Sequence, residues 1–182
     1  MISLLHTFIG GTTGKWRVEQ NRVVTGAALP SIPRVAILEG NQFATPREST
    51  WLLRGVTSYE RYVHRSERSL LVAQQPELDR LEATRAALIP IKKSNAWWEL
   101  PQDERRAIFE ERSHHIATGL KYLPRIARRL YHSHDLGEPF DFLTWFEYAP
   151  DDAEAFEELV GTLRETEEWT YVEREVDIRL VR

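Results

Sequence analysis

The chain has 182 residues, with 28 Asp and Glu against 24 Lys and Arg, and a formal net charge of −4. Hydrophobic residues make up 42% and charged residues 29%, a globular balance that fits one ordinary domain or two small fused ones. The acidic balance argues against a general nucleic-acid binder, and no apolar run approaches the ~20 residues needed to cross a bilayer. Cysteine is absent and Met1 is the only methionine. Disulfides, thiolate catalysis, iron–sulfur clusters and cysteine-ligated zinc are thereby excluded. Scarce sulfur also suits a protein that works near a strong oxidant, although a chain this short permits it by chance. Residues 1–6 show neither a basic n-region nor a long apolar stretch. No signal peptide is read, and the cytoplasm is the expected compartment.

In chain order, residues 1 to about 50 read as strands and loops. Gly10, Gly11 and Gly14 mark a turn, but no lysine and Ser/Thr follow in the order a phosphate loop needs. A loop is expected at 45–49 and a strand at 51–57. Ser58 is placed to cap a short helix through Tyr62 and Val63. Residues 70–75 read as strand, ending at Pro76. The apolar run 86–91 contains Pro90, which suits an edge strand or a strand end. Residues 92–98 read as a loop. A long helix is expected over about 102–130, with Pro101 near its start and Asp103 and Glu104 in its first turn, where the helix dipole favours acids. Residues 140–148 form an aromatic strand. Asp151 and Asp152 open a second helix whose apolar face is Phe156, Leu159, Val160 and Leu163. Residues 172–180 alternate as a half-buried final strand. The order gives an α+β fold with an antiparallel sheet and helices on one face.

Two adjacent histidines lie in the long helical stretch. Helical spacing groups Ile108, Arg112, His115, Gly119, Tyr122 and Ile126 on one stripe, and puts His114 on a charged neighbour with Glu110, Glu111 and Thr118. His115 is therefore expected to face inward and His114 water. An inward histidine is more often a hydrogen-bonded core residue than a ligand. Gly119, one turn later, would let a flat group approach the backbone. Arg128 follows thirteen residues after His115, about 20 Å along an unbroken helix, but Pro124 can bend the chain between them. The cluster of Arg125, Arg128 and Arg129 reads either as a solvated helix end or as an anion-binding group. The segment His132-Ser133-His134-Asp135 lacks metal-ligand spacing and is expected to be solvated or at a subunit contact.

Several stretches together resemble the chlorite dismutase family of haem b proteins, in its short dimeric branch. They are Arg54-Gly55-Val56, the apolar run around Pro90, Trp97-Trp98, Ser113-His114-His115, Tyr122-Leu123-Pro124, the run from Gly137 to Tyr148, and Thr166-Glu167-Glu168-Trp169. The resemblance covers about residue 50 to the end. It implies a ferredoxin-like antiparallel barrel of the dimeric α+β type with a shortened N-terminal half: residues 1–98 as a truncated ferredoxin-like part and 99–182 as the haem-binding part, together one compact unit. It also implies haem b, with His115 as the proximal iron ligand and Arg128 as the distal arginine. Lys93 would reach a haem propionate or the proximal hydrogen-bond network. Trp97 and Trp98 would pack near the haem, and Gln75, with Gln74 beside it, would stand on the distal side. A carboxylate on the proximal imidazole is expected. The apolar stripe of the second helix favours Glu167, whereas the family alignment favours Glu168, which is the residue assigned here. The implied reaction converts chlorite to chloride and dioxygen with formation of the O–O bond, in a homodimer that engages neither nucleic acid nor membrane. The alternatives are a coproheme decarboxylase or peroxidase-like haem enzyme of the same superfamily, and a non-catalytic haem-binding protein. Glutamine commonly stands at the arginine position of the decarboxylases, so Arg128 argues against that alternative.

Overall fold

The structure is a computed structural model that describes residues 5–40, 49–57 and 61–182. Of the loop expected at 45–49, residues 45–48 lie outside the described residues and Ser49 is strand; the cap expected at Ser58 also lies outside them. Eight strands close into an antiparallel barrel: β1 (Leu5–Gly11), β2 (Trp16–Thr25), β3 (Arg34–Glu39), β4 (Ser49–Val56), β5 (Arg85–Lys93), β6 (Ala127–His132), β7 (Phe142–Tyr148) and β8 (Val172–Val181). Around the barrel they run β1-β3-β2-β8-β5-β7-β6-β4 and back to β1. The order falls into two quartets with the same pattern, β4-β1-β3-β2 and β8-β5-β7-β6. By strand order β5 belongs to the second quartet. The helices are α1 (Arg65–Gln74), α2 (Asn95–Glu99), α3 (Gln102–Arg106), α4 (His115–Leu120) and α5 (Ala153–Arg164). Four of these five, α2 to α5, lie in the second half of the chain.

Strand residues alternate between two faces, and both faces are covered. Inside the barrel Phe8, Trp16, Leu53, Leu88, Tyr131 and Trp145 are buried in one cluster. On the outer face Ala87, Ile89, Ile91 and Phe146 pack against Phe156, Leu159, Val160 and Leu163 of α5, the helix face read from the sequence. This double burial changes the reading of β8. Two of its charged positions are not solvated: Glu175 and Asp177 are each 1% exposed and lie against Arg164 and Arg179.

Five expectations are corrected. Residues 92–98 are not a loop, because β5 runs through Lys93 and Asn95–Glu99 form α2. Pro90 does not mark an edge, because β5 pairs with both β7 and β8. The β8 ladder pairs Leu88 with Ile178 and then Ile91 with Glu175, leaving Pro90, which has no N–H to give, in the gap. Residues 70–75 are not a strand. Leu71 is the one buried residue of α1, and Glu67 accepts the backbone N–H of His64 at 2.7 Å to start that helix. Tyr62 is not helical but has a left-handed φ of 63°. The long helix over 102–130 is broken. After α3 the chain widens into a π turn over Ala107–Arg112, turns at His114 with φ 52°, resumes as α4, and enters β6 at Ala127.

Candidate active site

That break positions His115. His114 takes the left-handed conformation, uncommon for a residue with a side chain, and so α4 starts afresh at His115. Glu110, buried in the π turn, accepts the backbone N–H groups of Ile116 and Ala117 at 2.5 and 3.1 Å. These are unpaired amides at the helix start, where a carboxylate is favoured. His114 is exposed, and the His115 side chain is 16% exposed. The ring of Phe109 stacks on His115 with centroids 4.4 Å apart.

His115 opens into a cavity of about 320 Å³ between the outer face of β5, β7 and β6 and the covering helices. Its Nδ1 lies 2.7 Å from Glu168 Oε2. The other oxygen of Glu168 accepts Lys93 Nζ at 2.9 Å, and the backbone N–H of Glu168 donates to Ser113 Oγ at 3.0 Å. Burial is the largest influence on this carboxyl and would raise its pKa. The charges and hydrogen bonds of His115 and Lys93 outweigh it and hold the group down at about 2. An ionised Glu168 fixes the imidazole proton on Nδ1, leaving Nε2 as the ring's donor atom. Glu167 is exposed and pairs with Arg112 at 3.4 Å. The short 3₁₀ turn over Glu167–Tyr171 ends the α5 periodicity on which the case for Glu167 rested.

Arg128 reaches the same cavity from β6, not from a helix. The 20 Å of helical rise therefore never separates it from His115. A Cβ built on Gly119 would stand 3.6 Å from Arg128 Nη1, so the guanidinium comes up to α4 one turn beyond His115. Gln75 also lines the cavity, and its side-chain amide donates to the backbone carbonyl of Arg128. Gln74 is exposed and does not line it. Lys93 joins the network around Glu168 rather than standing apart from it.

Trp97 lines the cavity, but Trp98 does not. Neighbours on one helical turn point about 100° apart. Trp98 instead stacks on His134 with centroids 3.7 Å apart and donates to Asp141 at 3.1 Å. The sequence reading missed three residues here. Glu110 and Ser113 act through backbone amides, in no local motif that spacing would reveal. His132, expected to be solvated or at a subunit contact, is 7% exposed and faces the cavity.

A family model for chlorite dismutase matches residues 35–182. The chain belongs to the chlorite dismutase family. The dimeric chlorite dismutase of Nitrobacter winogradskyi is 60% identical to it, covers 97% of this chain and 99% of its own, and superposes with a TM-score of 0.91. The chlorite dismutase of Ideonella dechloratans is 36% identical over 86 residues, which are 47% of this chain and 28% of that protein. The chain thus matches less than a third of that curated relative's length. A variant of the enzyme from Candidatus Nitrospira defluvii, at 21% identity, superposes with a TM-score of 0.72 over 100% of this chain and 93% of its own, and it supports the fold.

The cavity's residues fit the haem that the resemblance implies. Among the described residues no group of three His, Cys, Asp or Glu could hold a bare metal ion. An imidazole backed by a carboxylate, as His115 is by Glu168, suits a metal that brings its own macrocycle. The walls are mostly apolar, and the buried indole N–H of Trp97 has no hydrogen-bond partner, an orphaned donor that an anionic group of a bound molecule would satisfy.

Proposed function

We propose that this protein is a haem b-dependent chlorite dismutase that converts chlorite to chloride and dioxygen. The observation that carries the reading is the convergence on one cavity of His115, backed by buried Glu168, with Arg128 from β6. Haem, when bound, supplies an iron centre able to exchange an oxygen atom with an oxyanion. His115 Nε2 would hold the iron. Glu168 keeps the Nδ1 proton engaged and makes the imidazole a stronger donor. Lys93 neutralises the second oxygen of Glu168, so that the buried carboxylate is not left with an uncharged imidazole N–H as its sole partner. Arg128 attracts the anionic substrate into an otherwise acidic protein and holds charged species in place as negative charge shifts. Gln75, through the Arg128 carbonyl, ties α1 to that strand. The protein would act in the cytoplasm. It would be a homodimer, as its Nitrobacter relative is dimeric, and would be built from two ferredoxin-like parts. No helix of the described residues is long and apolar enough to cross a membrane.

An oxygen electrode tests the reading. Haem-loaded protein mixed with chlorite should evolve dioxygen, and its absence would sink the proposal. Arg128→Ala should retain haem but lose most of that rate, by the ~10²–10³-fold typical of removing one transition-state donor. A plain haem carrier would be indifferent to the change.

A further inference from the structure

The cavity has a second polar end that the reading above leaves unused. On β6 Arg128, Leu130 and His132 share one face by strand alternation, and all line the cavity. Opposite them on β7 stand Phe146, Thr144 and Phe142. At about 3.3 Å per residue, Arg128 and His132 lie roughly 13 Å apart along the strand, with Leu130 and Thr144 between them. One wall of the cavity thus carries a polar group at each end and a largely apolar middle.

His132 is 7% exposed, and its Nδ1 is buried without a hydrogen-bond partner. Its ring meets Phe142 edge-on at 5.7 Å. Burial, with the Arg61 charge adding to it, lowers the His132 pKa to about 4. At neutral pH the ring is uncharged and carries one N–H. Arg61 lines the same end of the cavity and pairs with Asp135 at 3.3 Å. A buried, unpaired ring nitrogen costs stability unless something fills it. Lys93 is already committed elsewhere, to Glu168 at 2.9 Å and to the Trp97 ring at 4.4 Å.

We infer that the His132–Arg61 end of the cavity binds a carboxylate of the bound haem, with His132 Nδ1–H donating to it and Arg61 supplying the charge. The inference rests on the haem reading and adds to it the orientation of the macrocycle, carboxylate end toward His132 along β6.

The test is the rate at which haem leaves the loaded protein for excess apomyoglobin, measured with haem b and with its dimethyl ester, which lacks the carboxylate charges. His132→Leu and Arg61→Gln should each speed loss of haem b about tenfold, as expected for a charge-assisted hydrogen bond. Neither should change loss of the ester, which should already leave the unsubstituted protein faster. His132→Gln, which keeps a donor, should stay close to the parent. Equal acceleration for both haems would show that His132 only packs, and no acceleration for either would show that it touches no cofactor group; both results overturn the inference. If His132→Leu does not fold, Arg61→Gln carries the same comparison from a partly exposed side chain. A parent protein that takes up no haem would overturn the cofactor reading itself, and this inference with it.

Discussion

Glu168 and His132 are both buried ionisable groups, and both have their folded pKa pushed below the ordinary value. Glu168 sits at about 2 against 4.5, and His132 at about 4 against 6.5. A depressed folded pKa contributes stability that is complete above the unfolded value and is lost as pH falls through the folded one. The acid limb should therefore come in two steps. Between pH 6.5 and 4 the unfolded chain takes up a proton at His132 that the folded protein resists. Between 4.5 and 2 the same happens at Glu168, with a loss on the order of a few kcal/mol. Denaturant melts across pH should show the upper step disappear in His132→Leu and the lower step shrink in Glu168→Gln. An unchanged profile in both would mean that neither burial nor pairing acts as argued. The inward histidine was legible from helical spacing alone, since His115 and Gly119 lie one turn apart in α4. His132 was not legible: its neighbours Ser133, His134 and Asp135 are those of a loop, and the strand that buries it begins in an arginine-rich run.

The elements show why spacing worked locally and failed over a longer reach. The sequence from Gln102 to Leu130 contains no interior proline before Pro124 and many good helix formers, so propensity favours one long helix. Its interruption at Ser113 and His114 is held by one local side chain and one distant partner. Glu110 satisfies the new N-terminus of α4, and Ser113 accepts the N–H of Glu168. Residues 127–132 become strand because β7 pairs with them from Glu147 to Phe142, a non-local contact that local propensity does not encode. By contrast α5 was readable in full, because its buried face recurs at helical spacing on a single straight element. The capping role of Glu110 carries a prediction. Glu110→Ala should cost ~1–2 kcal/mol, as loss of a cap does, and should also broaden or shift the spectrum of the bound haem by loosening His115. Glu110→Gln, which keeps an acceptor, should recover much of both. Lost stability with an unchanged spectrum would confine Glu110 to holding the fold.

At the scale of the whole molecule the two strand quartets meet at two unequal seams. Among the described residues β4 and β6 join through one pair, Val56–His132, whereas β2 and β8 run together from Arg17–Val181 to Thr25–Glu175. Strand β8 carries the longer of these described seams, and its outer face rests on buried charge. Arg164 of α5 donates to Glu175 at 2.6 and 2.9 Å and to Asp177 at 2.8 Å, and Trp169 donates to Glu175 at 2.8 Å. Replacing such a network wholesale by apolar groups can be neutral, but removing one partner strands the other charges in a dry interior. Arg164→Met should therefore destabilise by ~3–5 kcal/mol, far more than a surface substitution. Arg179 would still hold Asp177, so Glu175 would carry most of that cost. The loss should appear as one cooperative transition moved to lower denaturant, because the long β2–β8 seam ties the first quartet to the second. Two separate transitions in Arg164→Met would mean instead that each quartet stands by itself once β8 is loosened, and that closure of the barrel contributes little to its stability.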